Sequence, residues 1–93
     1  MSHFENYQNI SRFYENTRSA VGVDIIRNHL ENGELPINKQ LLVDAGCGTG
    51  LYSAALVNHV RKIEAIDLNA GMLKIAKGKM NSEEKKGLIN FYI

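Results

Sequence analysis

Three observations predict an α/β fold built on a parallel sheet. The apolar run Leu41-Leu42-Val43 ends in Asp44 and passes straight into glycines at alternate positions, Gly46, Gly48 and Gly50. A second strand-like run, Lys62 to Ile66, ends in another acid, Asp67, one helix length later. A third, Leu88-Ile89-Asn90-Phe91-Tyr92-Ile93, follows a further helical stretch and is rich in β-formers. Strand signals separated by helical segments read as βαβ units, because parallel neighbours need a long crossover.

The elements follow in order. Phe4, Tyr7, Ile10, Phe13 and Tyr14 recur at helical spacing and predict an N-terminal amphipathic helix. A second helix is expected from Ser19 to Glu31, with Val21, Ile25, Ile26 and Leu30 as its buried stripe and Gly33 as its stop. Glu34 to Gln40 holds the only proline and reads as a linker, so residues 1–40 form a helical segment and residues 41–93 the α/β part. Leu41 to Asp44 is expected to be a buried parallel strand. The glycine turn opens a helix from Leu51 to His59, and the second strand covers Lys62 to Ile66. Asn69 is the natural cap of a helix from Ala70 to Met80. Asn81 to Gly87, with Glu83, Glu84, Lys85 and Lys86, reads as a solvated turn.

Composition bounds the possibilities. Ninety-three residues allow one modest domain. Eleven basic against ten acidic residues give no basic surplus that would point to nucleic acid. No apolar run approaches the roughly 20 residues of a membrane helix, and the N-terminus has neither a basic start nor an apolar core. One cysteine forms no internal disulfide, so a reducing, cytoplasmic setting is expected.

The chemistry concentrates in the glycine turn. Glycine at positive φ lets the chain bend sharply and a ligand approach the backbone. The dinucleotide fingerprint G-x-G-x-x-G is not met, since Leu51 stands at its third glycine and the extra glycine falls early, at Gly50. An acid directly before the glycines also suits a phosphate poorly. The pattern reads as a nucleoside site without a phosphate. Asp67, 21 residues after Gly46, sits where a ribose-binding acid follows such a turn, and a carboxylate can accept from both ribose hydroxyls. Cys47 has no His/Asp set around it and reads as a small residue filling the turn. His3, His29 and His59 show no metal-ligand spacing, and no metal is expected. Met72 reads as core, in a stripe with Ile75 and Ala76.

Val43-Asp44-Ala45-Gly46-Cys47-Gly48-Thr49-Gly50 resembles the first motif of class I S-adenosylmethionine-dependent methyltransferases, and Ile63-Glu64-Ala65-Ile66-Asp67-Leu68-Asn69 resembles their second strand with its ribose-holding acid. The resemblance runs from about Leu41 to Ala76 and is closest to the small-molecule branch. It implies a Rossmann-like sheet in the order 3-2-1 and S-adenosylmethionine as cofactor. It also implies a cofactor site at Asp44, Ala45, Gly46, Gly48, Gly50, Asp67 and Leu68, with Asp44 toward the methionyl amino end. Tyr7, Tyr14 and Arg18 fall where relatives place a lid. A small-molecule methyl acceptor is implied, and no catalytic residue is assigned. The family's sheet has seven strands, so three strands read as a truncated N-terminal half with an open edge that could take a partner. Two other classes remain: a non-catalytic binding or regulatory module acting through that edge, and a nicotinamide-dependent oxidoreductase, which Gly50 and Asp44 disfavour.

Overall fold

The computed structural model describes residues 21–93. Three parallel strands, β1 (Leu41–Ala45), β2 (Lys62–Ile66) and β3 (Ile89–Tyr92), lie in the order β1-β2-β3, which is the expected 3-2-1 arrangement. Helix α1 (Val23–Glu31) precedes them, α2 (Leu51–Leu56) joins β1 to β2, and α3 (Ala70–Lys79) with the short α4 (Asn81–Lys85) joins β2 to β3. The N-terminal helix expected over Phe4–Tyr14 lies outside the described residues.

Register assigns each strand residue to a face. Leu42, Ile63 and Ile89 align across the sheet, followed by Asp44, Ala65 and Phe91. This is the covered face, where Ile63, Ala65 and Ile89 pack with Leu56, Val57, Ala76 and Met80 into one core cluster. Fully burying a side chain such as Ile63 or Ile89 contributes roughly 1.5–3 kcal/mol, so this layer holds the sheet to its helices. The opposite face carries Leu41, Val43 and Ala45 of β1 with Ile66 and Tyr92. The expected burial of the first strand is therefore only half met. Leu41 and Val43 are 64% and 67% exposed, because no described element covers that face or pairs the outer edge of β1.

Other expectations are corrected in detail. Helix α1 starts at Val23, after Gly22 in the left-handed region, rather than at Ser19, which lies outside the described residues. Its half-buried positions are Val23, Arg27 and Leu30, at i, i+4 and i+7, whereas Val21, Ile25 and Ile26 of the expected stripe are exposed. Only Val23 and Leu30 of its apolar residues touch the core. Helix α2 closes at Leu56, and Val57 to His59 form a turn in which the His59 amide bonds back to the Leu56 carbonyl at 2.8 Å. The expected turn over Asn81–Gly87 contains a helix. Glu83 and Glu84 stand in its first turn and Lys85 in its last, an order that suits the helix dipole. The linker holds a single 3-10 turn, Ile37–Lys39. Among the described residues no helix is long and apolar enough to cross a membrane.

Candidate functional site

The carboxyl ends of β1 and β2 meet at the glycine turn. The backbone N–H groups of Gly46 and Cys47 both donate to the Ile66 carbonyl, at 2.7 and 2.9 Å, so the turn leaves β1 still tied to β2. Gly46, Gly48 and Gly50 all hold positive φ, at 72°, 59° and 82°, a conformation that L side chains resist. Their surroundings differ. A Cβ on Gly46 would meet nothing within 4 Å, so this glycine faces open space. A Cβ on Gly50 would stand 2.6 Å from the Met80 methyl and 3.3 Å from the Ala76 side chain, so this glycine is where the turn packs on α3. Gly48 is intermediate, with the Met72 methyl 3.2 Å from the same point. Only the first of the three expected close-approach glycines presents unfilled space to a ligand. Met72 is 5% exposed and belongs to the core side of α3, as its stripe with Ala76 predicts.

The two acids are placed by different partners. Asp67 caps the end of β2, where its own N–H donates to the Tyr92 carbonyl at 3.0 Å. One carboxylate oxygen accepts from the Gly48 N–H at 2.8 Å and the other from the Asn69 N–H at 2.7 Å. The side chain thus ties the glycine turn to the β2–α3 connection. Asn69 caps α3, accepting from the Met72 N–H at 3.1 Å, as expected, which separates the capping role from Asp67. Asp44 lies on the covered face of β1, and its Oδ2 accepts from the Ser53 hydroxyl at 2.6 Å. Ser53 sits in α2 and is 1% exposed. A cavity of about 260 Å³ lies beside Asp44, walled by Ile26, Leu42, Tyr52 and Leu56. Tyr52 anchors this wall by donating to the Val21 carbonyl at 2.7 Å. Leu68, also in the expected set, is 85% exposed just past Asp67, and Ala45 is exposed on the uncovered face.

The electrostatics of the turn are read by Cys47. Burial first, then the negative charges of Asp44 and Asp67, push its thiol up from 9.0 to about 11. The thiol is therefore a poor nucleophile at neutral pH, and the expectation of a space-filling residue fits. The same field favours a ligand carrying positive charge at this end and opposes a pyrophosphate. An open backbone cradle at Gly46, a carboxylate with one oxygen left by Ser53, and a negative field suit a positively charged ligand group. Among the described residues no group of three His, Cys, Asp or Glu side chains could hold a metal ion. Tyr7, Tyr14, Arg18 and His3 lie outside the described residues.

Residues 42–92 match the family model of the methyltransferase domain. The chain belongs to the methyltransferase family. Solved structures of S-adenosylmethionine-dependent methyltransferases share its fold. A Methanococcus maripaludis protein assigned to this class superposes with a TM-score of 0.70 at 23% identity, covering 99% of this chain and 42% of its own. Phosphoethanolamine N-methyltransferase 2 of Haemonchus contortus gives 0.65 at 18% identity, covering 98% of this chain and 24% of its own. The TehB-like methyltransferase of Corynebacterium glutamicum gives 0.64 at 20%, covering 96% and 43%. No curated protein matches the sequence. The chain spans less than half the length of these structures.

Sequence reasoning missed Ser53. Its signal was present, since a hydroxyl three residues into a helix that follows a strand-end acid can reach back to that acid. Polar residues inside short helices are too common for this spacing to stand out.

Proposed function

We propose that this chain carries the cofactor-binding half of an S-adenosylmethionine-dependent methyltransferase acting on a small molecule. The observation that carries the reading is the glycine turn itself: pinned to Asp67 through Gly48, open at Gly46, and flanked by Asp44 with one carboxylate oxygen available. Asp44 would receive the methionyl amino end, with Ala45 and Gly46 giving backbone approach. Asp67 would hold the ribose, since each oxygen that accepts one N–H retains capacity for a second donor, and Leu68 would offer an apolar edge beside it. Gly48 and Gly50 keep the turn in shape. The bound cofactor supplies a methyl group already activated by its positive sulfur, so the protein's contribution is orientation of donor and acceptor. No residue of this chain is assigned as acid or base. The uncovered sheet face and the β1 edge support reading residues 41–93 as half of a larger domain, with residues 1–40 a separate segment before it.

Calorimetric titration with S-adenosylmethionine, S-adenosylhomocysteine and NAD tests this reading. Binding of the first two and not of NAD is expected. Tighter binding of NAD, or no binding of either sulfur nucleoside, overturns it.

A second reading is favoured by one observation, the exposure of Leu41 and Val43 on an unpaired strand. In it, the chain is a binding or regulatory module that acts by pairing this edge with a partner. Light scattering across a concentration series distinguishes the two, because a monomer that binds the cofactor favours the first.

A further inference from the structure

We infer that Ser53 is a positioning residue for the methionyl end of the cofactor, acting through Asp44. The inference rests on the cofactor reading above and assigns a role to a residue outside the expected site. Its hydroxyl lies 2.6 Å from Asp44 Oδ2, the separation of a charge-assisted hydroxyl–carboxylate bond, and the residue is 1% exposed. Ser53 is one of only three buried polar residues among those described, and the other two, Thr49 and Asn69, belong to the turn and the α3 cap. A fully buried hydroxyl is retained only where its hydrogen bond is made, and here its acceptor is Asp44.

The consequence is directional. A lone carboxylate at the end of a strand turns freely about its last torsion, which has broad, roughly two-fold wells. Ser53 removes that freedom by taking Oδ2 from the α2 side. Asp44 Oδ1 is then the oxygen presented to a cationic ligand group, beside the cavity whose walls include Tyr52 and Leu42. Ser53 borders the same cavity, but its hydroxyl is committed to Asp44 and the residue is 1% exposed. It sets which lone pairs Asp44 offers, and it couples that choice to the seating of α2 behind the glycine turn.

The test uses two ligands that differ only at the relevant end. S-adenosylhomocysteine carries the amino acid group, whereas 5′-methylthioadenosine ends at the thioether and lacks it. In Ser53→Ala, affinity for S-adenosylhomocysteine is expected to fall about tenfold, as for loss of one charge-assisted hydrogen bond, with affinity for methylthioadenosine unchanged. Ser53→Cys keeps the volume but donates weakly, and it should show the same selective loss. Ser53→Thr keeps the hydroxyl and should recover affinity for S-adenosylhomocysteine. In the ligand-free chain, the Asp44 side-chain carboxyl carbon resonance should shift in the alanine and cysteine variants. Parallel loss of both ligands means a merely structural serine and overturns this inference alone. An unmoved Asp44 carboxyl resonance also overturns it. Preference of the wild-type chain for NAD removes the cofactor reading, and this inference with it.

Discussion

Asp44 and Asp67 end adjacent parallel strands, face the same glycine turn and are both acids, yet the chain holds them in different ways. Asp67 is bound by the backbone, accepting from Gly48 on one side and Asn69 on the other. Asp44 is bound by a single side chain, Ser53, and otherwise borders a cavity. The glycines divide likewise: Gly50, beyond the Asp67 contact, is pressed against Met80 and Ala76, while Gly46, next to Asp44, faces nothing within 4 Å. One end of the turn is part of the scaffold and the other is open. Residues that look alike in the motif therefore carry different duties, and substitutions should separate them.

The largest effect is expected at Gly50→Ala. The left-handed backbone costs roughly 1–2 kcal/mol for a non-glycine residue; the flexible Met80 methyl must move aside, and the Ala76 side chain 3.3 Å away keeps the fit tight, adding about 1–2 kcal/mol of overpacking. A total near 3 kcal/mol is a large part of the roughly 5–15 kcal/mol available to a domain, so urea denaturation should show a collapsed midpoint. A midpoint close to wild type would mean that α3 shifts easily and that the scaffold end of the turn is soft.

Asp67→Asn comes next. The amide keeps one acceptor but turns an NH2 toward one of the two N–H donors, which leaves that donor unmet. A loss of about 2 kcal/mol is expected, in the range of hydrogen bonds to charged groups. Asp44→Asn is the control, because its amide oxygen still accepts from Ser53, and stability should change by less than about 0.5 kcal/mol. If both variants lose equal stability, the division between the acids is wrong.

Gly46→Ala should lose only the backbone term, about 1 kcal/mol, since its Cβ meets no neighbour. Its effect on S-adenosylhomocysteine binding should be larger than its effect on stability, because the new methyl group enters the open cradle. A thermal midpoint lowered by about 4–8 °C with binding intact would count against Gly46 as the ligand-facing glycine.

Much of this division could not be read from the sequence. The strand ends, the turn and the Asn69 cap were legible because each depends on local chemistry: apolar runs, glycines at positive φ and a side chain reaching three residues along. The parallel order of the sheet came with the family resemblance. The distinct surroundings of Gly46 and Gly50 were not legible, since they depend on Met80 and Ala76, some 26 to 30 residues further on. The exposure of Leu41 and Val43 was hidden for the opposite reason, as an apolar run announces burial and says nothing of which faces are covered. Helix α4 was missed because charged residues alone were read as a turn, although Glu and Lys are good helix formers.

The smallest effect is in the pH dependence, and it reports on both acids at once. Cys47 sits between them with its thiol raised from 9.0 to about 11, first by burial and then by Asp44 and Asp67. A raised folded-state value means that the folded chain resists ionisation. The neutral thiol's contribution to stability is therefore complete below pH 9.0 and is lost as the pH climbs toward about 11. The difference in thermal midpoint between wild type and Cys47→Ala should stay constant up to pH 9 and then move against the wild type. Because burial is the leading cause, Asp44→Asn or Asp67→Asn should lower the thiol value without returning it to 9.0, as thiolate absorbance near 240 nm would record. A full return in either single variant would make charge the dominant cause. The negative field of the turn would then come mainly from that acid, and the other would be left as scaffold alone.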